Sequence, residues 1–119
     1  MAYQPLTVQQ FYALPDVDHA VLLDTRDERS FTRSHIPGAQ RADDQSINHL
    51  IRAGKRDRPV IVYCYHGNSS RDLCGLLTAL GFTRVYNLEG GWQAWNDARS
   101  APPAGLDPAL AAWQTAAPT

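Results

Sequence analysis

VIVYCYHGNSSRDLCGLLTALG (Val60 to Gly81) opens with Val60, Ile61, Val62 and Tyr63, a run with no polar alternation. Such a run suits a strand buried on both faces of a parallel sheet. It stops at Cys64. Tyr65, His66, Gly67, Asn68, Ser69 and Ser70 are turn and helix-cap types, and Leu73, Leu76, Leu77 and Leu80 then recur at helical spacing until Gly81. Cys64 is therefore expected to close a strand and face the start of a helix.

The first turn of a helix leaves backbone N–H groups without intrahelical partners and carries the positive end of the dipole. A cysteine there has a lowered pKa and acts as a nucleophile at neutral pH, whereas one in an apolar core is inert. The plainer alternative makes Cys64 the last small residue of a core strand. Gly67 and the polar residues around it favour an anion-binding nest, at the sheet edge where open α/β folds place their sites. Asn68, Ser69 and Ser70 either add side-chain hydrogen bonds to that nest or simply cap the helix. Cys74, beside Leu73 and Leu77, is expected to be a core thiol, with no disulfide to Cys64.

Working outward, the chain alternates strand and helix. Tyr3 to Leu6 reads as a strand, and Thr7 caps a helix bearing Val8, Phe11 and Leu14. Ala20 to Leu23 is a second buried strand whose end carries Asp24 and Arg26 to the edge that holds Cys64; a satisfied ion pair is the preferred assignment. Asp27 to Ser34 reads as a short polar helix carrying Phe31 inward, and His35 is held by hydrogen bonds in the turn before Pro37 and Gly38. Asp43 and Asp44 start a helix with Ile47, Leu50 and Ile51 inward. The basic cluster Arg52, Lys55, Arg56 and Arg58 reads as a solvated helix end and loop. Val85 to Leu88 is the last strand, and Gly90-Gly91 leads into a helix with packing tryptophans Trp92 and Trp95. This order implies a single α/β domain over residues 1–100, a mostly parallel central sheet with helices on both faces. Residues 101–119 turn Ala- and Pro-rich, either a mobile tail or a short helix docking Trp113.

A length of 119 residues suits one core rather than two. The net charge of -1 offers no global attraction to nucleic acid or an anionic membrane, so neither is expected as a partner. No apolar run reaches spanning length and the N-terminus lacks signal-peptide features, so the expected compartment is the cytoplasm. Two cysteines are too few for a disulfide framework. Cys64 and His66 lack further neighbouring ligands, so neither a metal nor another cofactor is expected.

The loop CYHGNSS resembles the active-site pattern of the rhodaneses, single-domain thiosulfate sulfurtransferases of GlpE type in particular. Cys64 and Gly67 match that pattern. LLDTRDERSFTRSHIPGA (Leu22 to Ala39) is similar to the family's first signature, and YNLEGGWQAW (Tyr86 to Trp95) to its last. The resemblance implies a rhodanese fold and double displacement. The Cys64 thiolate takes the outer sulfur of thiosulfate or another sulfane donor and passes it to cyanide or a thiol. The backbone N–H groups of Tyr65 through Ser70 would hold the charged sulfur, and Arg71 is a candidate anion contact. Tyr65 stands where many rhodaneses carry arginine, which implies weak thiosulfate binding. Two alternatives are a non-catalytic module that binds partners or senses redox state, and a cysteine phosphatase or arsenate reductase of related fold. The latter needs arginine at the sixth place after the cysteine, where this chain has Ser70.

Overall fold

Val60–Tyr63 form the central strand β4, and all four residues are completely buried. The structure, a computed structural model, describes residues 3–100, and the expected extension with Trp113 lies outside them. Flanking β4 are β2 (Val21–Asp24) and β5 (Val85–Leu88), with β3 (Gln40–Arg41) and β1 (Gln4–Leu6) at the two edges, in the order β1-β5-β4-β2-β3. Every neighbouring pair is parallel. The strands' C-terminal ends therefore share one edge. There Asp24 lies opposite Tyr63, and the Thr25 N–H donates to the Tyr63 carbonyl at 2.9 Å.

Side chains alternate across a strand, so β4 feeds two cores. Val60 and Val62 join Val21, Leu23 and Val85 on one face, under Leu50 of α3 (Asp44–Ala53) and Cys74 and Leu77 of α4 (Ser70–Ala79). Ile61 and Tyr63 join Leu6, Leu22, Ile36 and Leu88 on the other, with Trp95 of α5 (Gly91–Ser100) and, at its margin, Val8 and Phe11 of α1 (Val8–Ala13). Helices thus cover both faces.

The leucine spacing of α4 misplaces its inner face. Leu76 and Leu80 are 49% and 39% exposed, while Ser70, Cys74 and Leu77, at i, i+4 and i+7, are buried. Both stripes have helical period; Ser70, turned into the site, lies on the inner one. Helix starts follow local chemistry more closely. Thr7 with Gln10, and Asp43 with Ser46, make reciprocal capping boxes, each N-cap worth about 1 kcal/mol.

The basic cluster is only partly solvated. Arg56 donates to the carbonyls of Ile51 (3.0 Å) and Leu80 (3.1 Å) while lying over Phe82, and Arg58 donates to the His19 carbonyl at 2.7 Å. These arginines bind carbonyls at the C-terminal ends of helical segments. In the turn after α2 (Glu28–Arg33), His35 Nδ1 lies 2.8 Å from the Phe31 carbonyl and its ring stacks on Phe31, which is half-buried.

Candidate active site

Cys64 follows directly on β4 and is 3% exposed. Its Sγ accepts from the Gly67 N–H at 3.1 Å and lies 3.3 Å from the Ser70 hydroxyl. Curling the chain so tightly needs the left-handed conformation of Gly67, φ +89°. A Cβ there would come within 3.1 Å of the Gly90 nitrogen and 3.3 Å of the Leu88 carbonyl oxygen. Cys64, Gly67 and Ser70 form the buried floor, while Tyr65, His66, Asn68, Ser69 and Arg71 make an exposed rim.

The two options for the serines separate here. Ser69 occupies the N-cap position of α4, but its backbone is already helical and its side chain makes no capping bond. Ser70 turns inward, its hydroxyl meeting Cys64 Sγ and Asn87 Oδ1. Asn68 contributes its carbonyl, which accepts from the Arg71 N–H at 3.2 Å.

Burial alone would raise the Cys64 pKa. The hydroxyls of Ser69 and Ser70 and the amides of Ser70 and Gly67 outweigh it and bring the thiol down to about 7. Bonds to a charged acceptor are worth about 1.5–3 kcal/mol each, so two or three suffice. The alkylation rate of Cys64 is therefore expected to have its midpoint near pH 7, against about 8.5 for a free cysteine. A midpoint at the free value would remove the electrostatic account. Because the folded pKa is the lower one, ionised Cys64 contributes stability above the unfolded pKa, and that contribution is lost as pH falls through about 7.

Cys74 behaves as the core thiol expected from its position. It has no exposed surface, its Sγ is 3.7 Å from the Tyr86 carbonyl oxygen, and burial, then the charge of Cys64, pushes its pKa up to about 12. Cys74→Ala is expected to lower stability and leave the alkylation midpoint of Cys64 within a few tenths of a pH unit. A larger shift, read by the same alkylation series, would place Cys74 in the site.

Asp24 and Arg26 form the ion pair, buried and bonded on both carboxylate oxygens, with the guanidinium also donating to the Ser34 carbonyl. Breaking such a pair costs several kcal/mol, on the order of 3–5, so Arg26 is committed to the fold. Three rings enclose it, Trp92 at 4.5 Å, Tyr65 at 5.2 Å and Tyr63 at 5.9 Å. Tyr65 is further tied to α2, its hydroxyl 2.8 Å from Ser30 Oγ. The residue at the arginine position thus leans sideways across Arg26.

Two contributors escaped the sequence reading. Amides at the start of α5 grip the loop, Trp92 N–H donating to the Cys64 carbonyl (2.7 Å) and Gln93 N–H to that of Tyr65 (3.0 Å). Gly91, φ +57°, permits this, since a Cβ would run into the Cys64 carbonyl oxygen and the Tyr65 backbone. The other is Asn87 of β5, a polar residue in an otherwise apolar strand, and that break in pattern was the available signal. Among the described residues, no three His, Cys, Asp or Glu side chains gather as metal ligands, and no helix is long and apolar enough to cross a membrane.

A cysteine in a glycine-curled nest at the end of a parallel strand narrows the families this chain can belong to. The family model described as "Rhodanese-like domain" matches residues 7–98. The chain belongs to the rhodanese-like family. Relatives of this rhodanese include the "Thiosulfate sulfurtransferase GlpE" of Pseudoalteromonas translucida, 36% identical over 100 residues, or 84% of this chain and 95% of that one. The protein of the same name from Pseudomonas fluorescens Pf-5 is 45% identical over 76 residues, 64% of this chain and 70% of the relative. Among solved structures, a rhodanese-related protein from Thermoplasma volcanium shares the fold, with TM-score 0.65 and 24% identity over 85% of this chain and 96% of that one. A Rhodopseudomonas palustris protein of unknown function, described as a possible tyrosine phosphatase, aligns with TM-score 0.67 and 26% identity over 81% of each chain.

Proposed function

We propose that this rhodanese is a thiosulfate sulfurtransferase working by double displacement through Cys64. The observation that carries this is the nest itself. Sγ receives the Gly67 amide and faces the Ser70 hydroxyl, a donor set that favours a charged sulfur over a neutral one. The thiosulfate sulfurtransferases among its relatives support the choice of donor.

In the first half-reaction the Cys64 thiolate attacks the outer sulfur of thiosulfate. A new S–S bond forms, the old one breaks, and sulfite leaves with its electron pair. The persulfide that remains carries the negative charge on its outer sulfur, within reach of the same donors and of the amides along Tyr65 to Ser70. In the second, cyanide or a thiol attacks that sulfur, and Cys64 departs as thiolate. Arg71, exposed at the start of α4, is our candidate side-chain cation for the incoming dianion, since Arg26 is bound to Asp24.

Phosphoryl chemistry suits the loop less well. Its sixth position holds the buried hydroxyl of Ser70, and Arg71 comes one place later, on the exposed side of α4. The test is sulfite release from thiosulfate together with mass spectrometry of the treated protein. Stoichiometric sulfite with one sulfur atom added to Cys64 is the expected result. No sulfite and no added sulfur would return the chain to a binding or redox-sensing role.

A further inference from the structure

Asn87 sits within β5, 4% exposed, with uncharged register partners, Pro5 on β1 and Val62 on β4. Both ends of its amide are engaged. Nδ2 donates to the Gly67 carbonyl at 3.0 Å, and Oδ1 accepts a short hydrogen bond from the Ser70 hydroxyl. A carbonyl can only accept, so the amide nitrogen must face Gly67 and the oxygen must face Ser70. Each residue that Asn87 holds also touches Cys64 Sγ, Gly67 through its amide and Ser70 through its hydroxyl.

We propose that Asn87 is a positioning residue for Cys64, keeping the Gly67 amide and the Ser70 hydroxyl aimed at the sulfur and giving that hydroxyl a second acceptor. Ser70 has one hydroxyl proton and two acceptors in reach. With Cys64 as a thiol, the S–H points to Ser70 Oγ and the Ser70 proton goes to Asn87 Oδ1. Once the sulfur is charged, as thiolate or persulfide, the hydroxyl turns to it. No bond to hydrogen is broken at Ser70 or Asn87; the hydroxyl rotates as the charge on sulfur changes. The inference rests on Cys64 being the sulfur carrier. Of the other titratable neighbours, Cys74 is buried with its pKa pushed up to about 12, and His66, Arg71 and Asp72 lie exposed on the rim rather than on the buried floor.

The test is the pH profile of Cys64 alkylation by iodoacetamide in the full chain, for wild type, Asn87→Asp, Ser70→Ala and the double variant. Asn87→Asp replaces the donor to Gly67 with an acceptor and draws the Ser70 proton toward a carboxylate. The midpoint is expected to rise by about one pH unit, slowing alkylation at pH 7 about fivefold or more. In the Ser70→Ala background the same substitution should shift it clearly less. In turnover, the kcat/KM deficit should be large at pH 7 and largely recovered at pH 9, which a packing role alone would not produce. An unchanged midpoint in folded Asn87→Asp, or equal shifts in both backgrounds, overturns the proposal. If Asn87→Asp does not fold, Asn87→Ser, too short to hold both partners, is measured instead: a raised midpoint supports the proposal and an unchanged one overturns it. Alkylation needs no sulfur donor. A wild type that releases no sulfite would therefore defeat the proposed function while leaving this measurement intact.

Discussion

Cys64→Ser is expected to lower kcat/KM for sulfite release by on the order of 10³ or more, because the substitution removes the proposed nucleophile. A serine hydroxyl at neutral pH carries almost no anion, and its oxygen cannot form the S–S bond on which the second half-reaction depends. The fold should persist. Serine is close in size, and its oxygen can still accept from the Gly67 amide and meet the Ser70 hydroxyl, the two groups now gathered on the sulfur. Thermal unfolding followed beside the sulfite assay separates the two effects. A folded variant that retains sulfur transfer would end the double-displacement mechanism.

Gly91→Ala carries the next largest effect, though the residue lies outside the Cys64 loop at the start of α5. An alanine at φ +57° is strained by about 1–3 kcal/mol, and its Cβ would collide with the backbone of Cys64 and Tyr65. Relief requires the start of α5 to back away, which breaks the bonds from Trp92 and Gln93 to the carbonyls of Cys64 and Tyr65. With overpacking adding about 1–3 kcal/mol, the expected result is a fall in Tm of roughly 6 °C or more. The surviving folded fraction should also alkylate more slowly at Cys64. A Tm within two or so degrees of wild type would show that the loop yields freely and that the close approach has little consequence.

The strands were legible because their physics is local. Val60 to Tyr63 and, Asn87 apart, Val85 to Leu88 are short, apolar and bounded by turn residues, and the structure places both where their composition does. Cys64 and Gly67 were legible for a related reason, since a cysteine between a buried strand and a cap-rich turn has few other environments. The exposed Leu76 and Leu80 show where periodicity fails. Spacing reveals that a face exists, but which face turns inward is decided by contacts such as those of Ser70, made to residues far along the chain. Asn87 and Gly91 were missed on the same ground. Each acts on a loop many positions earlier, 17 and 20 for the bonds of Asn87, and one sequence records no such pairing. The cluster after α3 is largely exposed as expected, and only the partial burial of Arg56 went unread, because a guanidinium bound to carbonyls is compositionally identical to one in water.

The pairing of β1 with β5 fixes an order of events during synthesis. β1 has no neighbour in the sheet except β5, so once made it waits on the chain emerging from the ribosome until Val85–Leu88 arrive. The carbonyls of Cys64 and Tyr65 wait slightly longer, for Trp92 and Gln93. Contacts of such long range slow folding. A nascent chain halted between Cys64 and Gly91 would carry its cysteine as an ordinary thiol, largely un-ionised at neutral pH, and the lowered pKa would be acquired only once residues as far as Gln93 had emerged and docked.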